Sequence, residues 1–195
     1  MSSTSRSTPG IVSRTTLHIG RKFAYEQIEV RGGSGKTHTR QYVKHPGAVV
    51  IVPVIESATG QEVVLIRVYR ASLDQMSWEL CAGTIDRKAD GTAEDPAICA
   101  ARELIEETGY KPGRLTPIAT FHTSPGLSDE VMHAFLATEL THVGQHLEED
   151  EDIEVRVVPA GVALSMLQTG ELRDGKSMVA LMMAARQGHL RDESH

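Results

Sequence analysis

The sequence predicts an α+β protein: strands interrupted by a few short helices, with a β-hairpin ahead of the main domain. Three observations carry this. Ala48-Val-Val-Ile-Val-Pro-Val-Ile55 is a continuous apolar run suited to a strand buried on both faces. Asp95-Pro96 and Gly109 bracket a stretch with helical periodicity, and Gly32-Gly-Ser-Gly35 separates two strand-like stretches near the N-terminus.

The chain has 195 residues, 40% of them hydrophobic, which is enough to bury a core. Its net charge of −6 disfavours a nucleic-acid partner, which needs a basic surface. Cys81 and Cys99 lie outside any C-x-x-C pattern, so neither a disulfide framework nor a zinc site is indicated and a cytoplasmic location is expected. No apolar run approaches the roughly 18 residues of a membrane span, and residues 1–9 lack the apolar segment of a signal peptide. The expected organisation is a disordered tail over 1–12, a β subdomain over 13–45 and the main domain over 46–190.

Taken in order, residues 23–30 and 37–44 form the hairpin, and 48–55 and 62–70 the central strands. Arg67 and Arg70 end the second of these, and a guanidinium fork matches phosphate oxygens. Cys81-Ala-Gly83 reads as a small-residue strand end, followed by the helix from Asp95 to Gly109. Residues 115–121 and 131–138 are further strands, separated by the turn-rich loop Thr123 to Glu130. The acidic run Glu148-Glu-Asp-Glu-Asp-Ile-Glu154 reads as a solvated segment, or as a carboxylate-bearing element near a reaction centre. A last strand over 153–158 leads to a helix from Pro159 to Gly170 and another over 178–187.

In the central helix Asp95 is the N-cap, Pro96 occupies the first turn and Gly109 takes C′. Winding at about 100° per residue places Ala97, Ile98, Ala100, Ala101, Leu104 and Ile105 on a core face. Glu103, Glu106 and Glu107 share the opposite side, with Arg102 at its edge supplying one positive charge. Surplus negative charge on hard oxygen ligands suits Mg²⁺ or Mn²⁺. For three glutamates taken alone, a solvated helix face is the alternative.

This stretch resembles the Nudix box, G-x5-E-x7-R-E-U-x-E-E-x-G-U with U a bulky apolar residue. Glu94, then Arg102-Glu-Leu-Ile-Glu-Glu-Thr-Gly-Tyr110, match in type and spacing. Ten residues rather than five separate Gly83 from Glu94. The resemblance implies the Nudix fold, an α/β/α sandwich with a mixed sheet, and a Mg²⁺ site (Mn²⁺ is an alternative) built from Glu103, Glu106, Glu107 and the Ala82 carbonyl. Trp78 to Gly83 resembles the family's strand into the box, and Arg102 and Glu106 belong to the implied catalytic set.

Ser124-Pro-Gly126 and the acidic run are similar to elements of the branch that hydrolyses ADP-ribose and GDP-mannose. By that match Glu151 is the catalytic base, with Glu149 second. Arg70 and Glu130 are implied substrate contacts, Phe23 and Tyr25 are candidates to stack on the base, and the N-terminal strands imply a homodimer. The implied reaction is Mg²⁺-dependent hydrolysis of a nucleoside diphosphate sugar, ADP-ribose to AMP and ribose 5-phosphate. GDP-mannose is the alternative substrate, and a non-catalytic ADP-ribose sensor the alternative of another class.

Overall fold

The computed structural model describes residues 8–88, 90–147 and 152–191. The chain divides into two compact units, Met1–Pro46 with His122–Val131 and Gly47–Phe121 with Met132–His195. The inclusion of His122–Val131 differs from a contiguous division near residue 45.

In the first unit, β1 (Gly10–Ile19), β2 (Ala24–Arg31) and β3 (Thr37–Lys44) form an antiparallel sheet in that order. The expected hairpin is β2 and β3; β1 extends it, beginning inside the stretch expected to be a tail. Gly35 closes the turn at φ 80°, a conformation glycine adopts without strain. Glu26, only 5% exposed, is satisfied by the Tyr42 hydroxyl at 2.6 Å and by Lys44 at 3.4 Å. The segment His122–Val131 joins this sheet through Val43, whose N–H donates to the Leu127 carbonyl at 2.9 Å.

The second unit is built on β4 (Ala48–Ser57) and β5 (Gly60–Arg70), followed by β6 (Gln75–Glu79) and β7 (Ala82–Thr84). Next come α1 (Pro96–Thr108), β8 (Tyr110–Lys111), β9 (Arg114–His122), β10 (Val131–Thr138) and β11 (Thr141–His142). The chain ends in β12 (Ile153–Pro159), α2 (Ala160–Thr169) and α3 (Gly175–Arg186). The main sheet runs β12-β5-β4-β10-β9, with β6 added to β5 and β7 to β4, while β8 and β11 form a small separate ribbon. It is a mixed sheet, since β4 is parallel to β10 and antiparallel to β5 and β7.

Alternation along β4 divides the core into two layers. Val50, Val52 and Val54 pack with Ala163 and Met166 of α2 and with Ala180, Leu181 and Ala184 of α3. Val49 and Ile51 pack with Cys99, Ala100 and Leu104 of α1. Helices therefore cover both faces, the expected sandwich. Full burial of each such Val, Ile or Leu contributes roughly 1.5–3 kcal/mol.

Two sequence expectations are corrected. Trp78 to Gly83 is not one strand: at Leu80-Cys81 the chain leaves β5 for β4, and the Cys81 carbonyl accepts from Ile51 N–H at 3.0 Å. The buried side of α1 matches the prediction only at Ala100 and Leu104. Ala97 and Ile98 are exposed, whereas Cys99, Glu107 and Thr108 are buried with Ala100 and Leu104. The helix turns Glu107 inward because that carboxylate finds a backbone donor on β7.

Candidate active site

The caps of α1 fix where its carboxylates stand. Asp95 accepts from Ala97 N–H at 2.8 Å, and Gly109 ends the helix at φ 75° with its N–H on the Ile105 carbonyl. A Cβ on Gly109 would also lie 2.7 Å from the Gly144 backbone, so space as well as conformation demands glycine there.

Glu103 and Glu107, one turn apart, meet successive residues of β7. Glu107 Oε2 accepts from Ala82 N–H at 3.0 Å, so its burial is compensated. Glu103 lies over Gly83, where a Cβ would come within 1.9 Å of the Glu103 Cδ. Only glycine leaves room there for the Glu103 side chain.

Arg102 ties the remaining acids together. Its Nη1 donates to Glu103 at 2.8 Å and Glu106 at 3.0 Å, and its Nη2 to Glu94 at 3.1 Å and Asp86 at 3.5 Å. Partial burial works against its charge, but the Glu94 hydrogen bond and the neighbouring charge of Glu103 raise its pKa well above the ordinary arginine value. One guanidinium thus faces four carboxylates, and Glu107 adds a fifth acid nearby. Among the described residues no three His, Cys, Asp or Glu side chains are gathered into a ready-made cation site. Arg102 stands between Glu103 and Glu106, where it offsets part of their repulsion. Hard oxygens in excess of the charge that Arg102 supplies fit a divalent cation such as Mg²⁺ or Mn²⁺.

Thiol chemistry is disfavoured here. Burial, reinforced by Glu107, pushes the Cys81 thiol well up, and burial and Glu103 push Cys99 up to about 12. Both are therefore poor nucleophiles at neutral pH.

Arg70 is engaged by Glu79, a residue sequence reasoning missed. Arg70 Nε and Nη2 donate to the two Glu79 oxygens at 2.8 and 2.7 Å, and Lys176 also donates to Glu79. Glu79 is 2% exposed; burial would raise its pKa, but the Arg70 hydrogen bonds and the Lys176 charge prevail and lower it to about 2. The available signal is a lone glutamate in the otherwise apolar stretch Trp78-Glu-Leu-Cys-Ala-Gly83. Arg67 instead pairs with Glu154 at 3.7 Å, and both Arg67 and Arg156 lie over Trp78, at 5.6 and 5.5 Å.

Within the first unit, Phe23 stacks on His45 with ring centroids 5.7 Å apart, and His45 Nδ1 lies 3.6 Å from Glu130. The structure thus gathers Phe23 and Glu130 around His45, which sequence reasoning did not single out. Tyr25 is placed separately, its hydroxyl donating to Gln41 at 2.9 Å. Glu148, Glu149 and Glu151 lie outside the described residues.

Comparison with known proteins agrees with this architecture. The NUDIX domain family model matches residues 44–181. The ADP-ribose pyrophosphatase of Bacillus subtilis is 37% identical over 172 residues, spanning 87% of this chain and 89% of that protein. The GDP-mannose pyrophosphatase of Salmonella typhimurium is 35% identical over 173 residues, spanning 83% and 85%. A solved structure described as an ADP compounds hydrolase superposes with a TM-score of 0.78 at 22% identity, covering 96% of this chain and 98% of that one, a likeness of fold. With the family model covering well over half of the sequence and the box glutamates arrayed along β7, the chain belongs to the Nudix family.

Proposed function

We propose that the protein hydrolyses the diphosphate bond of a nucleoside diphosphate sugar with the aid of Mg²⁺, and that ADP-ribose is its substrate, yielding AMP and ribose 5-phosphate. The observation that carries this reading is the set of α1 carboxylates brought onto β7. The relatives named above support the substrate class.

Glu103, Glu106 and Glu107, with the Ala82 carbonyl, would hold the cation. When bound, it supplies positive charge against the diphosphate and lowers the pKa of water. The chain's own contribution is alignment. Arg102 keeps Glu103 and Glu106 from repelling apart, and Gly83 leaves Glu103 its place. Glu151 is the proposed base that takes a proton from the attacking water, and Arg70 the proposed phosphate contact. Glu130 is a proposed substrate contact, and Phe23 and Tyr25 are proposed to stack on the base. A sensor that only binds ADP-ribose has no use for the full acidic set, which favours catalysis.

GDP-mannose is a second reading, favoured by the 35% identity to a GDP-mannose pyrophosphatase. A homodimer is proposed through the first unit, where Ile11, Val12, Leu17 and Ile19 of β1 are exposed. Among the described residues no helix is long and apolar enough to cross a membrane, and the two free, buried thiols suit a reducing cytoplasm.

Product analysis with ADP-ribose, GDP-mannose, UDP-glucose, NADH and diadenosine polyphosphates, with and without Mg²⁺, tests the proposal. AMP and ribose 5-phosphate formed only with the metal is the expected result. Cleavage of none of these compounds overturns it.

A further inference from the structure

Glu79 sits in β6 opposite Ile66 and next to Leu80, both essentially buried, yet it is charged and holds two cations. A buried ion pair is often no more stabilising than apolar residues of the same volume, so stability alone gives little reason for it. The arrangement is instead a mounting for Arg70. Nε and Nη2 form a side-on fork with both Glu79 oxygens, which fixes the plane of the guanidinium. Among the described residues Nη1 has no protein acceptor, and the Arg70 side chain is 41% exposed.

The mounting is itself braced. Lys176 donates to the same Glu79 oxygen that receives Arg70 Nη2, and lies 2.9 Å from Asp174, the N-cap of α3. Asp174 accepts from Ser177 N–H at 3.0 Å, while the Ser177 hydroxyl oxygen accepts from Leu80 N–H at 2.7 Å. Glu79 is thereby held from α3 and from the residue that follows it. The charge on Arg70 is maintained first by the Glu79 hydrogen bonds, against the effect of burial, and further by Glu107 and Asp174. The mounted cation therefore stands within electrostatic reach of a box carboxylate.

We propose that Glu79 is a positioning residue for diphosphate hydrolysis: it orients the Arg70 guanidinium so that the remaining edge takes a phosphate oxygen of the substrate. This rests on the function proposed above. A displacement of about 1 Å in such a group can cost up to about 10²-fold in rate, which is the reason to brace it.

The test is a double-mutant cycle on the full chain, measuring kcat/KM with Mg²⁺ for whichever nucleoside diphosphate sugar the wild type cleaves best, and Tm for each variant. Arg70→Lys keeps the charge but loses the fork, and should lower kcat/KM about 10–100-fold. Glu79→Gln should lower it at least about tenfold, yet add less than about threefold in the Arg70→Lys background, because it acts only through Arg70. Should Glu79→Gln fail to fold, Glu79→Asp keeps the charge, withdraws the carboxylate by one methylene and carries the same cycle. A purely structural Glu79 would lower Tm with no coupling to Arg70 in kcat/KM. Losses that multiply, or either single variant with unchanged kcat/KM, overturn the proposal alone. A wild type that cleaves no nucleoside diphosphate sugar removes the functional reading, and this proposal with it.

Discussion

Gly83→Ala introduces one methyl group at the point where α1 and β7 meet. The new Cβ would stand 1.9 Å from Glu103 Cδ and 2.2 Å from both its Cγ and Oε1, so the carboxylate must retreat by at least about 1 Å. The backbone at Gly83 is not among the positive-φ positions, so alanine is tolerated there conformationally. The cost in stability should be small, about 1 kcal/mol or a Tm shift of about 2–4 °C, because the displaced group is the far end of a flexible side chain. The cost in activity should be large. A group moved by about 1 Å from a working geometry loses on the order of 10² in rate, so kcat/KM should fall by about that factor. Shortening the neighbour does not rescue the variant: in Glu103→Asp the Cγ position still clashes at 2.2 Å. Steady-state kinetics against Mg²⁺ concentration, beside a melting curve, checks this. Gly83→Ala with kcat/KM within about twofold of wild type would refute the assignment of Glu103 to the working site.

Three further expectations concern other parts of the molecule. Since the Glu79 carboxyl has a folded pKa of about 2 against an ordinary 4.5, the folded protein with Glu79 ionised is favoured over that with Glu79 protonated by about 3 kcal/mol, a difference present above pH 4.5 and lost as pH falls through 2. Thermal unfolding at pH 5 and pH 2.5 should show this loss in the wild type and a smaller one in Glu79→Gln; equal pH dependence would contradict it. Glu151→Gln should lower kcat about 10²–10⁴-fold with KM and Mg²⁺ activation little altered, while Glu148→Gln changes almost nothing; kinetics that show the reverse would move the base elsewhere. Light scattering at micromolar concentration should give a dimeric mass, and a fully active monomer would contradict the interface proposed on the first unit.

The parts of the fold legible in the sequence are those specified by neighbouring residues. Asp95, Pro96 and Gly109 mark both ends of α1 because capping is a matter of a few bonds within one turn. The apolar run beginning at Ala48 announced β4 because a strand covered on both faces needs no polar alternation. The start of α3 was less legible: the helix begins at Gly175, but its first turn, Gly-Lys-Ser, is polar, and apolar periodicity sets in only at Met178. β1 is exposed at all ten positions, so no buried face imprinted a pattern on Gly10–Ile19. The break between β6 and β7 depends on which neighbouring strand each half pairs with, and that is decided by the rest of the sheet. At the site, helical spacing put Glu103 and Glu107 one turn apart but did not foretell that Glu107 turns inward, and the bracing of Arg70 joins Glu79 to Lys176 across 97 positions. No local pattern encodes such a contact.

The central claim is that the α1 carboxylates are machinery rather than a solvated face, and Glu107 is its sharpest probe. Glu107 is 8% exposed and accepts from Ala82 N–H, a bond that the carbonyl oxygen of glutamine can also accept. Glu107→Gln therefore keeps the packing of α1 on β7 while removing one negative charge from the cation site. The decisive measurement is kcat for this variant with saturating Mg²⁺, alongside its Tm. The account predicts a loss of several orders of magnitude in kcat with Tm changed by no more than about 5 °C. Near-native turnover in a folded Glu107→Gln protein would contradict it.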